Sequence, residues 1–132
     1  MRYLTENDIL IMHARLIEET GGSHGVREVP LLQSIIHRPQ GVFGGKELFV
    51  GVFLKAAVYL EAIAQYHVFV DGNKRTAITT AARFLALNGY ELSATNSEVK
   101  SYVLRVVEEK IEPHDIAAWL KWHSKKKRSG RK

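Results

Sequence analysis

The sequence predicts an all-α fold, a compact helical bundle in a single domain. Three observations predict it. Apolar residues recur at helical spacing in six segments, hydroxyl–carboxylate capping boxes open two of them, and no segment sustains the alternation of a long strand.

Taken in order, Thr5-Glu-Asn-Asp8 is the first capping box, and Ile9, Met12, Leu16 and Ile17 follow on one helical face until Gly21-Gly22. Pro30 suits a first helical turn, with Leu31, Leu32, Ile35 and Ile36 behind it. Residues 37–47, with three glycines and a proline, read as a loop. Val42-Phe43 and Leu48-Phe49 about Gly44-Gly45 allow a small hairpin. From about Leu48 to Tyr66 the chain is apolar on most sides, the pattern of a central buried helix. Thr76 to Leu87 is a further helix ending at Asn88-Gly89, where glycine fits a left-handed cap. Thr95 and Glu98 form the second capping box, ahead of Val99, Tyr102, Val103, Val106 and Val107. Pro113 opens the last helix, with Ile116, Trp119 and Leu120.

Composition excludes several classes. The 132 residues, 45% hydrophobic and 25% charged, suit one soluble domain. The absence of cysteine removes disulfides and thiolate metal sites and fits a cytoplasmic protein. No apolar run is long enough to span a bilayer, and the first residues lack a signal-peptide layout. The net charge of +5 resides at one end: residues 121–132 hold seven Lys/Arg and no acid, leaving the other 120 with 12 basic and 14 acidic side chains. The expected division is therefore a domain over 1–123 and a basic, disordered tail over 124–132, the tail being the one part with any character for nucleic acid.

Chemistry concentrates in His67-Val-Phe69-Val-Asp71-Gly72-Asn73-Lys74-Arg75. A histidine ends an apolar helix, a carboxylate follows four residues later, and a Gly-Asn turn feeds a new helix that starts on two cations. Helix starts offer unpaired N–H groups and the positive end of the dipole, so Lys74 and Arg75 stand where sequences favour acids. A bound anion, such as a phosphate chain, would offset that cost, and Gly72 would let the backbone wrap around it. Asp71 beside a polyphosphate can hold Mg²⁺, and the imidazole of His67 can accept a proton at neutral pH. Phe69 should point inward and anchor the loop. Taken singly, His67 suits a core histidine, Asp71-Gly72 a turn, and Lys74 and Arg75 solvated surface; together they describe an anion-binding enzyme site.

This nine-residue string resembles the Fic-superfamily signature, and more closely its death-on-curing (Doc) branch, H-x-F-x-D-(G/A)-N-K-R. The Gly21-Gly22-Ser23, Arg38-Pro39-Gln40 and Asn88-Gly89-Tyr90 stretches are similar too. The resemblance implies a Fic/Doc-type helical bundle with a flap beside the active site, here Val42, Phe43, Gly44, Gly45 and Lys46 onward to Phe49, which aligns a target polypeptide. It implies that His67 is the general base and that Asp71 binds Mg²⁺ or positions the target. Asn73 would hold phosphate through its side chain and loop amides, with Gly72, Lys74 and Arg75 around the nucleotide.

Two positions depart from the wider Fic pattern: Lys74 replaces a glycine and Ile78 replaces a second arginine. In the Doc branch this accompanies transfer of the γ-phosphoryl group of ATP rather than an adenylyl group, to a translation factor, elongation factor Tu. The resemblance thus implies the toxin of a toxin–antitoxin pair, an ATP- and Mg²⁺-dependent protein kinase that inhibits translation. Adenylyl transfer and an inactive partner-binding domain are the alternatives. No inhibitory (S/T)-x-x-x-E-(G/N) string occurs, so control would fall to a separate antitoxin.

The remaining histidines show no metal spacing. His13 is expected as a buried structural histidine, with a place lining the pocket as the alternative, and Trp119 and Trp122 as core residues at i, i+3. Arg38 and Lys46 flank the flap, either solvated or touching nucleotide or target.

Overall fold

The computed structural model describes residues 1–127, and the arrangement is all-α with two minimal sheets. Helix α1 (Glu6–Thr20) starts at the Thr5–Asp8 capping box, in which Asp8 N–H donates to Thr5 Oγ1 at 3.1 Å and Thr5 N–H to Asp8 Oδ2 at 2.8 Å. Such a cap contributes about 1 kcal/mol. Ile9, His13 and Ile17, at successive i+4 steps, form its buried face. Helix α2 (Val29–His37) buries Leu32, Ile35 and Ile36 and runs into a 3₁₀ turn at Arg38–Gln40.

The hairpin comes next: β1 (Val42–Phe43) pairs antiparallel with β2 (Lys46–Glu47). The second strand is Lys46–Glu47 and not Leu48–Phe49. Gly44 and Gly45 both take positive φ, 60° and 79°, so two residues suffice for a tight turn matched to strand twist. The central helix α3 (Val52–Tyr66) correspondingly begins later than Leu48. Gly51, at φ 92° and ψ 155°, breaks the helical path, and Leu48 and Val50 before it are exposed.

Helix α3 is the axis of the molecule, packing on α4 (Asn73–Leu87), α5 (Asn96–Glu109), α6 (Pro113–Trp122), α2 and the 3₁₀ turn. Ala56, Ala57, Ala62 and Ala64 on α3 and Ala77 and Ala81 on α4 are buried and let the two helices approach closely. Larger groups fill the remainder: Leu60 and Ile63 are fully buried, each contributing about 1.5–3 kcal/mol. Tyr59 packs at 5.2 Å from the Phe84 ring, and its hydroxyl accepts from Leu4 N–H at 3.4 Å. Burial pushes that phenol up to about 12, so it stays neutral.

The expected tail boundary is wrong at its near end. Ser124–Lys126 form a strand, β4, antiparallel to β3 (Tyr90–Leu92), with Tyr90 opposite Lys126 and Leu92 opposite Ser124. Ser93 N–H donates to His123 O at 2.6 Å and Lys127 N–H to Gly89 O at 2.8 Å. Lys125 faces Glu91 across the ladder, so opposite charges offset the clustering of lysines. Residues 128–132 of the expected tail lie outside the described residues. Trp119 meets the expectation of packing, stacked at 4.2 Å on Tyr102, but Trp122 does not: it is 86% exposed, because it lies two residues past the buried Leu120, about 200° around the helix and so on the outer face.

A chain ending at His123 is expected to lose ~2 kcal/mol through the unpaired backbone of β3, a fall of several degrees in thermal midpoint. A calorimetric midpoint equal to that of the full chain would contradict this role for β4.

Candidate active site

Helix α3 stops at His67, which takes left-handed φ/ψ of 50° and 51°, an uncommon conformation for a side chain bearing a Cβ. Helix α4 starts after Gly72, also left-handed. The six residues between the helices, 67–72, form a short loop fixed from two sides.

The first support is internal. Asn73 accepts from Phe69 N–H through Oδ1 at 2.9 Å and donates from Nδ2 to Phe69 O at 3.0 Å, both within the interior. Its side chain thus serves the loop backbone, whereas the resemblance had placed it on phosphate. Phe69 is buried as expected, and the His13 ring stacks on it at 3.9 Å, nearly parallel. His13 Nε2 lies 2.7 Å from Asp71 O. A carbonyl oxygen only accepts, so that ring nitrogen carries the proton.

The second support is the segment between α1 and α2. Arg27 N–H donates to Val68 O at 2.8 Å and Val70 N–H to Gly25 O at 3.0 Å, around an antiparallel bridge joining Val26 and Phe69. Ser23 N–H donates to Asp71 Oδ2 at 3.1 Å, and Gly72 N–H to Asp71 Oδ1 at 2.8 Å. The Ser23 amide first, then the Gly72 amide, with smaller contributions from Arg75 and His13, hold the Asp71 carboxyl below the usual carboxylate range. Asp71 is exposed and ionised, with lone pairs to spare. Glycine is required at position 22. Its φ is 115°, and a Cβ there would stand 2.5 Å from Asp71 Oδ2.

No side chain caps the start of α4, so its first N–H groups are open. Lys74 and Arg75 are exposed on this turn, and Arg75 Nη1 donates to Thr20 Oγ1 at 2.7 Å. Both cations line a cleft of about 730 Å³ with Thr20 of α1, Ile78 of α4, and Lys100 and Val103 of α5. His67 is exposed at the other end of the loop and does not line this cleft. The structure therefore gathers Asp71, Gly72, Asn73, Lys74 and Arg75 at one helix start, with His67 one loop away. The hairpin residues Val42, Phe43, Gly44, Gly45 and Lys46 are all exposed. Among the described residues no cluster of three or more His, Cys, Asp or Glu side chains could hold a metal ion. His13, Gly22 and Thr20 support the site without belonging to the motif. Only the i+4 spacing of His13 from Ile9 marks it as inward-facing.

The chain belongs to the Fic/DOC family, whose pattern matches residues 3–85. It is 38% identical over 92 residues to the Toxin Doc of Mycolicibacterium smegmatis, covering 70% of this chain and 68% of that one. It is 34% identical over 92 residues to the Protein kinase doc of Escherichia phage P1, covering 70% and 72% respectively.

Two outcomes test these supports. Asn73→Ala leaves the buried N–H and C=O of Phe69 without their partners and is expected to cost ~2–4 kcal/mol in urea denaturation. Gly22→Ala is expected to push the Asp71 carboxylate off the Ser23 amide, raising its pKa toward the ordinary value for aspartate. A carboxyl resonance that titrates unchanged in NMR would contradict that geometry.

Proposed function

We propose that this chain is a toxin that phosphorylates a protein hydroxyl with the γ-phosphoryl group of ATP, the target being a translation factor, elongation factor Tu. The observation that carries the reading is the uncapped start of α4, where open N–H groups, Lys74 and Arg75 meet the ionised Asp71, with His67 exposed one loop away. His67 takes the proton of the target hydroxyl as its oxygen attacks the γ-phosphorus, and ADP leaves. Lys74, Arg75 and the first amides of α4 bind the phosphates and oppose the charge that builds on them.

A single exposed carboxylate, already oriented by two amides, suits Mg²⁺, which keeps waters and takes substrate phosphate as its other ligands. Asp71 would hold the ion; when bound, Mg²⁺ neutralises phosphate charge and fixes the polyphosphate. Because the Asp71 carboxyl titrates below the usual range, its contribution is present at neutral pH and is lost only as pH falls through that lowered value.

Lys74 and Ile78 favour phosphoryl over adenylyl transfer. Lysine fills the space that glycine leaves for a phosphate, and Ile78 sets an apolar side chain in the cleft where a second arginine would clamp. The names of the relatives, a Toxin Doc and a Protein kinase doc, support a toxin and a kinase. A toxin of this kind works beside an antitoxin protein, and the cytoplasm is where its target resides.

Incubation of the chain with elongation factor Tu and ATP labelled at either the α- or γ-phosphorus tests the reading. Label is expected on the target from the γ position only, and His67→Ala is expected to reduce it at least ~100-fold. Label arriving from the α position would overturn phosphoryl transfer.

A further inference from the structure

Lys55 stands in the central helix α3 and is 1% exposed. Its neighbours Ala56, Ala57 and Val58 are ordinary core residues. A buried ammonium is costly unless its charge and protons are matched. Here the matching groups come from two separate stretches of chain. Nζ donates to Pro39 O at 2.8 Å and pairs with Glu47 Oε1 at 2.7 Å, above the Tyr3 ring at 5.5 Å. Pro39 belongs to the stretch leading into the hairpin, and Glu47 to the strand coming out of it.

Arg38 repeats the arrangement beside it. Its guanidinium is 3.3 Å from Glu61 of α3 and lies over the Phe49 ring at 5.7 Å, again joining residues before and after the hairpin. Between them, Leu48 N–H donates to Gly41 O at 2.9 Å. Both clamps rest on α3, the helix that ends at His67. The hairpin carries little packing of its own: Val42 is 61% and Phe43 80% exposed.

We propose that Lys55 is a positioning residue: its buried ammonium clamps both ends of the flap to α3 and so sets where a target polypeptide lies relative to His67. The inference rests on the proposed protein-modifying function and on the flap role that the family resemblance implies for residues 42–49. A methionine of similar length would fill the same volume, and burial alone would favour it. The lysine is explained by what it holds.

Lys55→Met in the full chain tests the clamp by two readouts. Hydrogen exchange at the Leu48 amide is expected to accelerate about tenfold or more while the amides of α4 keep their protection. The KM for the protein target is expected to rise by about tenfold while the dissociation constant for ATP changes less than about twofold. Glu47→Gln, at a half-exposed position that tolerates change, is expected to shift both readouts in the same direction. It decides the matter if Lys55→Met does not fold. Unchanged Leu48 exchange would overturn the clamp, as would a KM that stays fixed while exchange accelerates. A parallel loss of protection throughout the chain would reduce Lys55 to general stabilisation and overturn it too. Failure of the unaltered chain to phosphorylate any target would overturn the functional reading instead, and the exchange measurement would still decide the clamp.

Discussion

The side chain of Asn73 donates to the Phe69 carbonyl and accepts from the Phe69 N–H, and these two bonds fix how the end of α3 meets the start of α4. Phe69 in turn is packed under the His13 ring, and His13 reaches the Asp71 carbonyl. The interior side of the loop is thereby saturated. Its polar chemistry is left to the outer side, where His67, Asp71, Lys74 and Arg75 meet solvent. An aromatic ring, an amide and an imidazole, all buried, hold a loop that presents four exposed polar side chains.

Electrostatics at this helix start oppose the usual preference. Two cations occupy the first turn of α4, no side chain caps it, and the one nearby acid is held by backbone amides. At two helix starts the chain follows the rule: α1 and α5 carry acids in their first turns within complete capping boxes, whereas α2, α3 and α6, like α4, have no side-chain cap. What sets α4 apart among the described helices is the pair Lys74 and Arg75 on its first turn, the feature on which the proposed phosphate site rests.

Much of this was legible in the sequence. Capping boxes at Thr5 and Thr95, the apolar run that became α3, and the prolines of α2 and α6 all placed their helices, since each signal is local. The motif residues were legible because they are contiguous. What escaped depends on long-range partners. Ser124–Lys126 looked like solvated tail because a lysine-rich strand exists only by virtue of β3, thirty-odd residues earlier. Trp122 looked like core by its spacing from Trp119, yet it stands on the face opposite the buried Leu120. The side chain of Asn73 was placed on phosphate by resemblance, while its partner is the Phe69 backbone four residues back. The roles of Gly22 and His13 arise where α1 and its following loop fold over Asp71, a contact with no trace in local pattern.

The pairing of β3 with β4 also bears on biosynthesis. A ribosome delivers Tyr90–Leu92 well before Ser124–Lys126, and α6, which covers one side of α3, emerges between them. The nascent chain therefore displays its motif loop while one flank of its central helix is bare and β3 lacks a neighbour. Completion of the bundle waits on α6 and β4, so a ribosome that stalls before residues 113–126 leave it holds an unfinished fold with an apolar face open to chaperones and proteases.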